Sequence, residues 1–217
     1  MRKLSVSEWV TLDGVAQAPV SPAEDRDGGF AHGGWHVPHA GDPAAQQWML
    51  DAIASAGGYV LGRRTYESLA AYWPHAPAAE RAIAEPLNTR PKYVATRAPF
   101  GTPGAPPAWT NAWANTTALA GDVVQAVAGL KAAPGGDLLL MGSTELARTL
   151  FAHGLVDEVR LTIDPVLVGG GKRPFPDGTL TEGAPTAFRL VDHRATGSGA
   201  ILARYACDPA RDPARGA

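Results

Sequence analysis

Short apolar runs alternate with amphipathic stretches along most of the chain, and clusters of turn residues separate them. Residues 4–12, with Val6, Trp9, Val10 and Leu12 apolar, predict a strand that Asp13-Gly14 turns. Asp42 followed by Pro43 is a helix start, an N-cap with proline at the first helical position, and its helix carries Trp48, Met49 and Ile53 to a stop at Gly57-Gly58. Tyr59, Val60 and Leu61 end a buried strand, which Gly62 turns into a helix opened by Arg63, Arg64 and Thr65. Residues 77–87 predict a short irregular helix, 92–96 a short strand, and 122–131 a helix with Val123, Val127 and Leu130 on one face. Residues 137–141 are continuously apolar after Asp137, the pattern of a strand covered on both sides, and Gly142-Ser143 then leads into a helix over 144–153 closed by Gly154. A strand over 156–163 follows, and two more, near 188–194 and 199–206, are joined as a hairpin by Thr196-Gly197-Ser198. Alternation first and a hairpin last predict an α/β domain: a central mixed, mostly parallel sheet with helices on both faces and a C-terminal antiparallel hairpin.

Three segments stand outside that pattern. Residues 16–41 are rich in Gly, Pro and acidic side chains and predict a long mobile loop, which in a compact domain is either functional or disordered. Residues 98–108 predict a second Pro/Gly-rich loop, and the tail 208–217 has nothing to bury and is expected to be disordered. One domain over 1–207 is the expectation, because 217 residues suffice for a core that needs no disulfide or metal.

Composition narrows the partners. A formal net charge of -2, with 18% charged residues, gives no sign of a nucleic acid or an anionic membrane as partner, and a small molecule is the expectation. The single cysteine, Cys207, allows no intrachain disulfide and no cysteine zinc cluster. His32, His36 and His39 sit among Gly and Pro without a common helical face, so no metal is expected. The N-terminus lacks a signal-peptide core, and no stretch approaches the roughly 20 apolar residues of a membrane helix; a cytoplasmic protein is expected.

Candidate chemistry lies where strands turn into helices. The uncapped N–H groups at the start of a helix attract phosphate, so Gly62, Arg63, Arg64 and Thr65 suit a phosphorylated ligand; an ordinary turn with solvated arginines has the same spacing. A second such turn is Gly142, Ser143 and Thr144, where a capped helix after a core strand is the competing explanation. Thr96 and Arg97 fall at a strand end, where a surface arginine is by itself unremarkable. Asp13 could supply a proton if an apolar pocket raised its pKa, or could simply make an Asp-Gly turn.

Taken together, these motifs resemble the dihydrofolate reductase superfamily, nearest to its riboflavin-biosynthesis reductase branch. The segment from Tyr59 to Leu69, YVLGRRTYESL, is similar to the element that holds the phosphates of NADPH there. WVTLDG, from Trp9, resembles the element lining the nicotinamide and substrate pocket, and the run from Gly154 to Phe175, with Asp164-Pro165 and Gly169-Gly170-Gly171, matches the same branch. The resemblance implies a dihydrofolate reductase-like three-layer fold and a homodimer. It also implies NADPH as cofactor, contacted by Gly62, Arg63, Arg64, Thr65, Thr96, Arg97, Gly142, Ser143, Thr144, Glu145 and Leu146, with Arg63 the foremost 2′-phosphate partner. Trp35, Asp164, Gly169 and Gly170 would line the substrate pocket, and Asp13 would serve catalysis. The implied activity is hydride transfer to a small heterocyclic, pyrimidine- or pterin-like, or carbonyl substrate. No zinc-binding deaminase motif of the kind often fused to that branch is present, so a stand-alone reductase is expected. In GGWHVPHAGD, from Gly33, the first carboxylate after Pro38 is the helix cap Asp42, a departure from the folate reductases. A true folate reductase, and a binding module without turnover, remain as alternatives.

Overall fold

A computed structural model describes residues 1–96, 109, 112–119, 121–175 and 186–207. Eight strands form one sheet: β1 (Leu4–Thr11), β2 (Gly58–Gly62), β3 (Lys92–Ala95), β4 (Thr116–Leu119), β5 (Leu138–Met141), β6 (Glu158–Asp164), β7 (Phe188–Ala195) and β8 (Ile201–Cys207). Their order is β4-β3-β2-β5-β1-β6-β8-β7. The first six of that order run parallel, and β8 pairs antiparallel with both β6 and β7, so the sheet is mixed and ends in the expected hairpin.

Among the described residues, five α-helices cover the two faces: α1 (Pro43–Ser55), α2 (Arg63–Ala70), α3 (Arg81–Thr89), α4 (Val123–Ala132) and α5 (Thr144–Ala152). Side-chain alternation along the strands divides the core between them. Tyr59, Leu61, Val94 and Leu139 pack against Ile53 of α1, Tyr66 of α2 and Leu87 of α3. Leu4, Val6, Val60, Leu138 and Leu140 pack against Val127 of α4 and Leu146, Leu150 and Phe151 of α5. The architecture is the three-layer one the sequence predicts.

Local signals explain most boundaries. Asp42 caps α1, accepting from the N–H groups of Ala44 and Ala45, and Asp122 caps α4 in the same way. Gly154, at a φ of 63°, follows α5 in the left-handed conformation that closes a helix. A helix near 77–87 exists, but it is entered through a 3₁₀ turn at Ala78–Glu80 and runs two residues further, through Pro86. The strand β4 was not expected. It is a four-residue edge element containing two threonines and lacks the apolar run that would announce it.

The segment 16–41 departs from the expected mobile loop. It contains two 3₁₀ turns, Asp27–Gly29 and Val37–His39, and buries Ala16, Gln17, Ala18, Trp35 and His36. Backbone bonds from Gly34 to Ala18 and from His36 to Pro19 close it on itself, and Trp35 Nε1 donates to Gln17 O at 2.8 Å. The loop 98–108, Arg97 and the tail 208–217 lie outside the described residues.

Candidate functional site

Because β1, β2, β3, β5 and β6 are parallel, their carboxyl ends open on one edge of the sheet. The chain lays β2, β3 and β4 to one side of β1, returns to insert β5 next to β1, and then places β6 on the far side. Such a reversal leaves a crevice beyond the carboxyl ends of the central strands. Two strand-to-helix turns meet there.

The first is Gly62, which stands as the N-cap of α2 with no side chain to satisfy the helix's opening N–H groups. The second is Gly142-Ser143 before α5, where Ser143 occupies the N-cap position and also makes no side-chain cap. Its hydroxyl is used elsewhere: Ser143 Oγ accepts from Gly62 N–H at 2.8 Å and lies 3.0 Å from Thr65 Oγ1, which donates to Gly142 O at 3.2 Å. A Cβ on Gly62 would stand 3.2 Å from Ser143 Oγ, and Gly142 has a φ of 59°. Both glycines therefore serve geometry: one permits close approach, the other a left-handed turn. The result is two helix N-termini, free of side-chain caps, tied together at the crevice.

Around this junction the other residues divide by orientation. Thr144 and Leu146 are buried, so a ligand would meet their backbone rather than their side chains, while Glu145 faces outward in the first turn. Arg63 Nε donates to Glu67 at 2.8 Å, and its guanidinium lies 5.3 Å from the centre of the Trp109 ring. Arg64 Nη1 donates to Asp27 at 2.6 Å. Thr96 follows the end of β3, on the same edge of the sheet.

Asp13 sits at the carboxyl end of β1, beside the turn that follows β6. Its carboxylate accepts from Thr11 Oγ1 at 2.6 Å, from Gly169 N–H at 2.9 Å and from Val168 N–H at 3.3 Å. The Thr11 hydroxyl, and then the Gly169 and Val168 amides, hold its pKa below the usual carboxylate range despite an opposing desolvation cost. Asp13 thus anchors the Val168–Gly169 turn, and its environment favours the carboxylate rather than the raised pKa expected of a proton donor. Gly169 contributes its N–H to that anchor, in a left-handed conformation at a φ of 80°, and Gly170 follows.

Asp164, the last residue of β6, pairs with His36 Nδ1 at 2.6 Å. Both side chains are buried, and the His36 ring stacks on Trp9 at 4.4 Å between centroids. The second carboxylate oxygen of Asp164, Oδ1, is buried with no hydrogen-bond partner. Sequence reasoning placed Asp164 and Trp35 in a pocket without linking Asp164 to His36, 128 residues away, and no local spacing signals such a contact. Trp35 itself is a loop anchor through Gln17. Lys172, also missed, reaches Asp25 at 2.6 Å and Asp27 at 2.8 Å. Among the described residues no group of three or more His, Cys, Asp or Glu side chains could hold a metal ion, and no helix is long and apolar enough to cross a membrane.

Comparison with known proteins agrees with this topology. The family model of the RibD C-terminal domain matches residues 2–202. The uncharacterized protein YyaP of Bacillus subtilis is 32% identical over 160 residues, which cover 72% of this chain and 77% of that protein. Among solved structures, a candidate riboflavin biosynthesis protein from Shewanella sp. PV-4 superposes with a TM-score of 0.64 at 17% identity, covering 95% of this chain and 99% of that one. A pyrimidine reductase-like protein from Corynebacterium diphtheriae gives a TM-score of 0.59 at 14% identity, covering 95% and 92%. The structural likenesses establish a shared fold, and the match over nearly the whole sequence establishes the relationship: the chain belongs to the RibD C-terminal domain family.

Proposed function

We propose that the chain is an NADPH-dependent reductase of a small heterocyclic or carbonyl-bearing substrate. The observation that carries this is the junction of α2 and α5, whose two uncapped helix starts meet through Ser143 and Gly62 at the carboxyl edge of the sheet. That donor set fits a dinucleotide diphosphate, which takes backbone N–H groups and a favourable helix dipole from each helix. Arg63, beside the Trp109 ring, is the partner proposed for the 2′-phosphate. When bound, NADPH supplies the hydride; the protein's share is to orient the reactants and to exclude water. On the substrate side, the buried His36–Asp164 pair is the proposed proton donor in place of Asp13, because a carboxylate hydrogen-bonded to Nδ1 fixes the orientation of the ring.

Reduction of folate itself is disfavoured by Asp42. Its Oδ1 caps α1 and its Oδ2 accepts from Ser198 N–H at 3.1 Å in the β7–β8 turn, leaving no carboxylate edge for a pterin. We further propose a homodimer, as the family resemblance implies. Titration with NADPH and NADH, followed by nicotinamide fluorescence, tests the cofactor reading. Wild-type protein should prefer NADPH, and Arg63→Ala should erase that preference by weakening NADPH about 10- to 150-fold, the size of a lost charged hydrogen bond. Failure to bind either nucleotide would reject the reading.

A further inference from the structure

A chain of charges links the first turn of α2 to the first turn of α5. Arg64 Nη1 donates to Asp27 at 2.6 Å, Lys172 Nζ donates to the same Asp27 oxygen at 2.8 Å, and Lys172 lies 3.7 Å from Glu145. Asp27 therefore occupies an anion position between two cations, one of them in the first turn of α2. We propose that Asp27 is a stand-in for a phosphoryl group: a phosphoryl-bearing ligand binds by displacing its carboxylate and takes Arg64 and Lys172 as its own partners. The inference rests on the cofactor reading above and adds Lys172 to the binding residues, with Asp27 as an autoinhibitory contact.

Three features support the exchange. Asp27 is held well below the usual carboxylate range, at about 2, by hydrogen bonds from Lys172 and Arg64, so it is a full anion whenever the ligand arrives. The residues after it, Gly28 and Gly29, have φ values of 68° and 76°, and nothing lies within 4 Å of a Cβ built on either, so the turn is held by backbone contacts, chief among them Gln17 Nε2 donating to Asp27 O at 3.0 Å, which the exchange must break or carry along. Asp27, Gly28 and Gly29 form one wall of a cavity of about 480 Å³ that Gln17, Phe30, Val168 and Lys172 also line, so the turn has open space on that side. Lys172 does not depend on Asp27 for its position. It is also bonded to Asp25 at 2.6 Å, and its N–H donates to Gln17 Oε1 at 3.0 Å. Exposed ion pairs are weak, and a phosphoryl group offers more charge and more acceptor oxygens than the carboxylate it replaces.

The experiment is calorimetric titration of wild-type protein and Asp27→Asn with NADPH and, separately, with inorganic pyrophosphate. The variant should bind both about tenfold more tightly, while Lys172→Ala should bind both more weakly than wild type. Hydrogen exchange of residues 24–30 in the wild type should rise when either ligand binds, since the latch opens. NADPH binding that is unchanged or weakened in Asp27→Asn, or a closed segment in the bound wild type, overturns this inference and leaves the cofactor reading standing. A gain for NADPH without one for pyrophosphate overturns the phosphoryl assignment. No binding of NADPH to either protein overturns both.

Discussion

Glu8 is a carboxyl group placed inside the sheet–helix layer. It falls on the face of β1 that carries Leu4 and Val6 toward α5, is 4% exposed, and its Oε1 has no partner. Burial pushes its pKa up to about 8, so the folded protein carries it neutral at pH 7. The folded state holds this proton up to pH 8 or so, whereas the unfolded chain releases it near the ordinary value of 4.5. Unfolding therefore releases a proton between those limits, and stability falls as pH rises across the window, by at most about 1.4 kcal/mol per pH unit. Glu8→Gln keeps the shape and removes the ionisation. Its melting temperature relative to wild type should rise steadily from pH 5 to pH 8; parallel curves for the two proteins would reject the burial argument. A strand pattern of alternating apolar residues does not reveal such a group, because position 8 differs from Leu4 and Val6 only in chemistry, and its cost depends on what covers it. The same holds for His36 and Asp164, which become a pair only when the loop over 16–41 folds back onto β6.

Among the elements, the contact between α2 and α5 carries the site. Ser143→Ala removes the acceptor for Gly62 N–H and the contact with Thr65, leaving a part-buried donor unpaired, which costs about 1–3 kcal/mol. The expected result is a lower denaturation midpoint together with weaker NADPH binding, since the two helix starts lose their tie. Lost stability with unchanged binding would make Ser143 structural alone. The turn itself was legible: a strand, a glycine and a helix-opening residue follow one another at both Gly62 and Gly142, and the Asp42-Pro43 cap marks a helix start in the sequence. What local pattern could not supply was the use of the Ser143 hydroxyl, which leaves its own helix uncapped to serve a residue 81 positions away. Edge strand β4 was invisible for a related reason: it is held by pairing with β3, and its own composition says little.

At the scale of the whole molecule, the order of the strands makes the crevice. With β5 inserted between β2 and β1, the Gly62 and Gly142 turns become neighbours, and the turn after β6 comes to lie beside the turn after β1, where Asp13 and Arg173 hold it. One edge of the sheet is β7, which presents Leu190 and Val191 at 45% and 38% exposure. Exposed strand edges of this kind are open to pairing or covering. The proposed homodimer is tested by sedimentation equilibrium, where a mass twice the 22.6 kDa of the chain is expected and a monomer at every concentration rejects it.

By itself, the sequence determined the period of each main element, the cap that starts α1, the mixed sheet with its closing hairpin, and the two strand-to-helix turns, because these depend on residues within a few positions of one another. Tertiary structure alone decided the rest. It gave Asp13 an anchoring position, joined His36 to Asp164, turned a Gly- and Pro-rich segment into a packed cover, and set Asp27 between Arg64 and Lys172. Each of those outcomes is a contact between groups far apart in the chain, fixed by strand order and by burial, and neither is written in the local pattern of side chains.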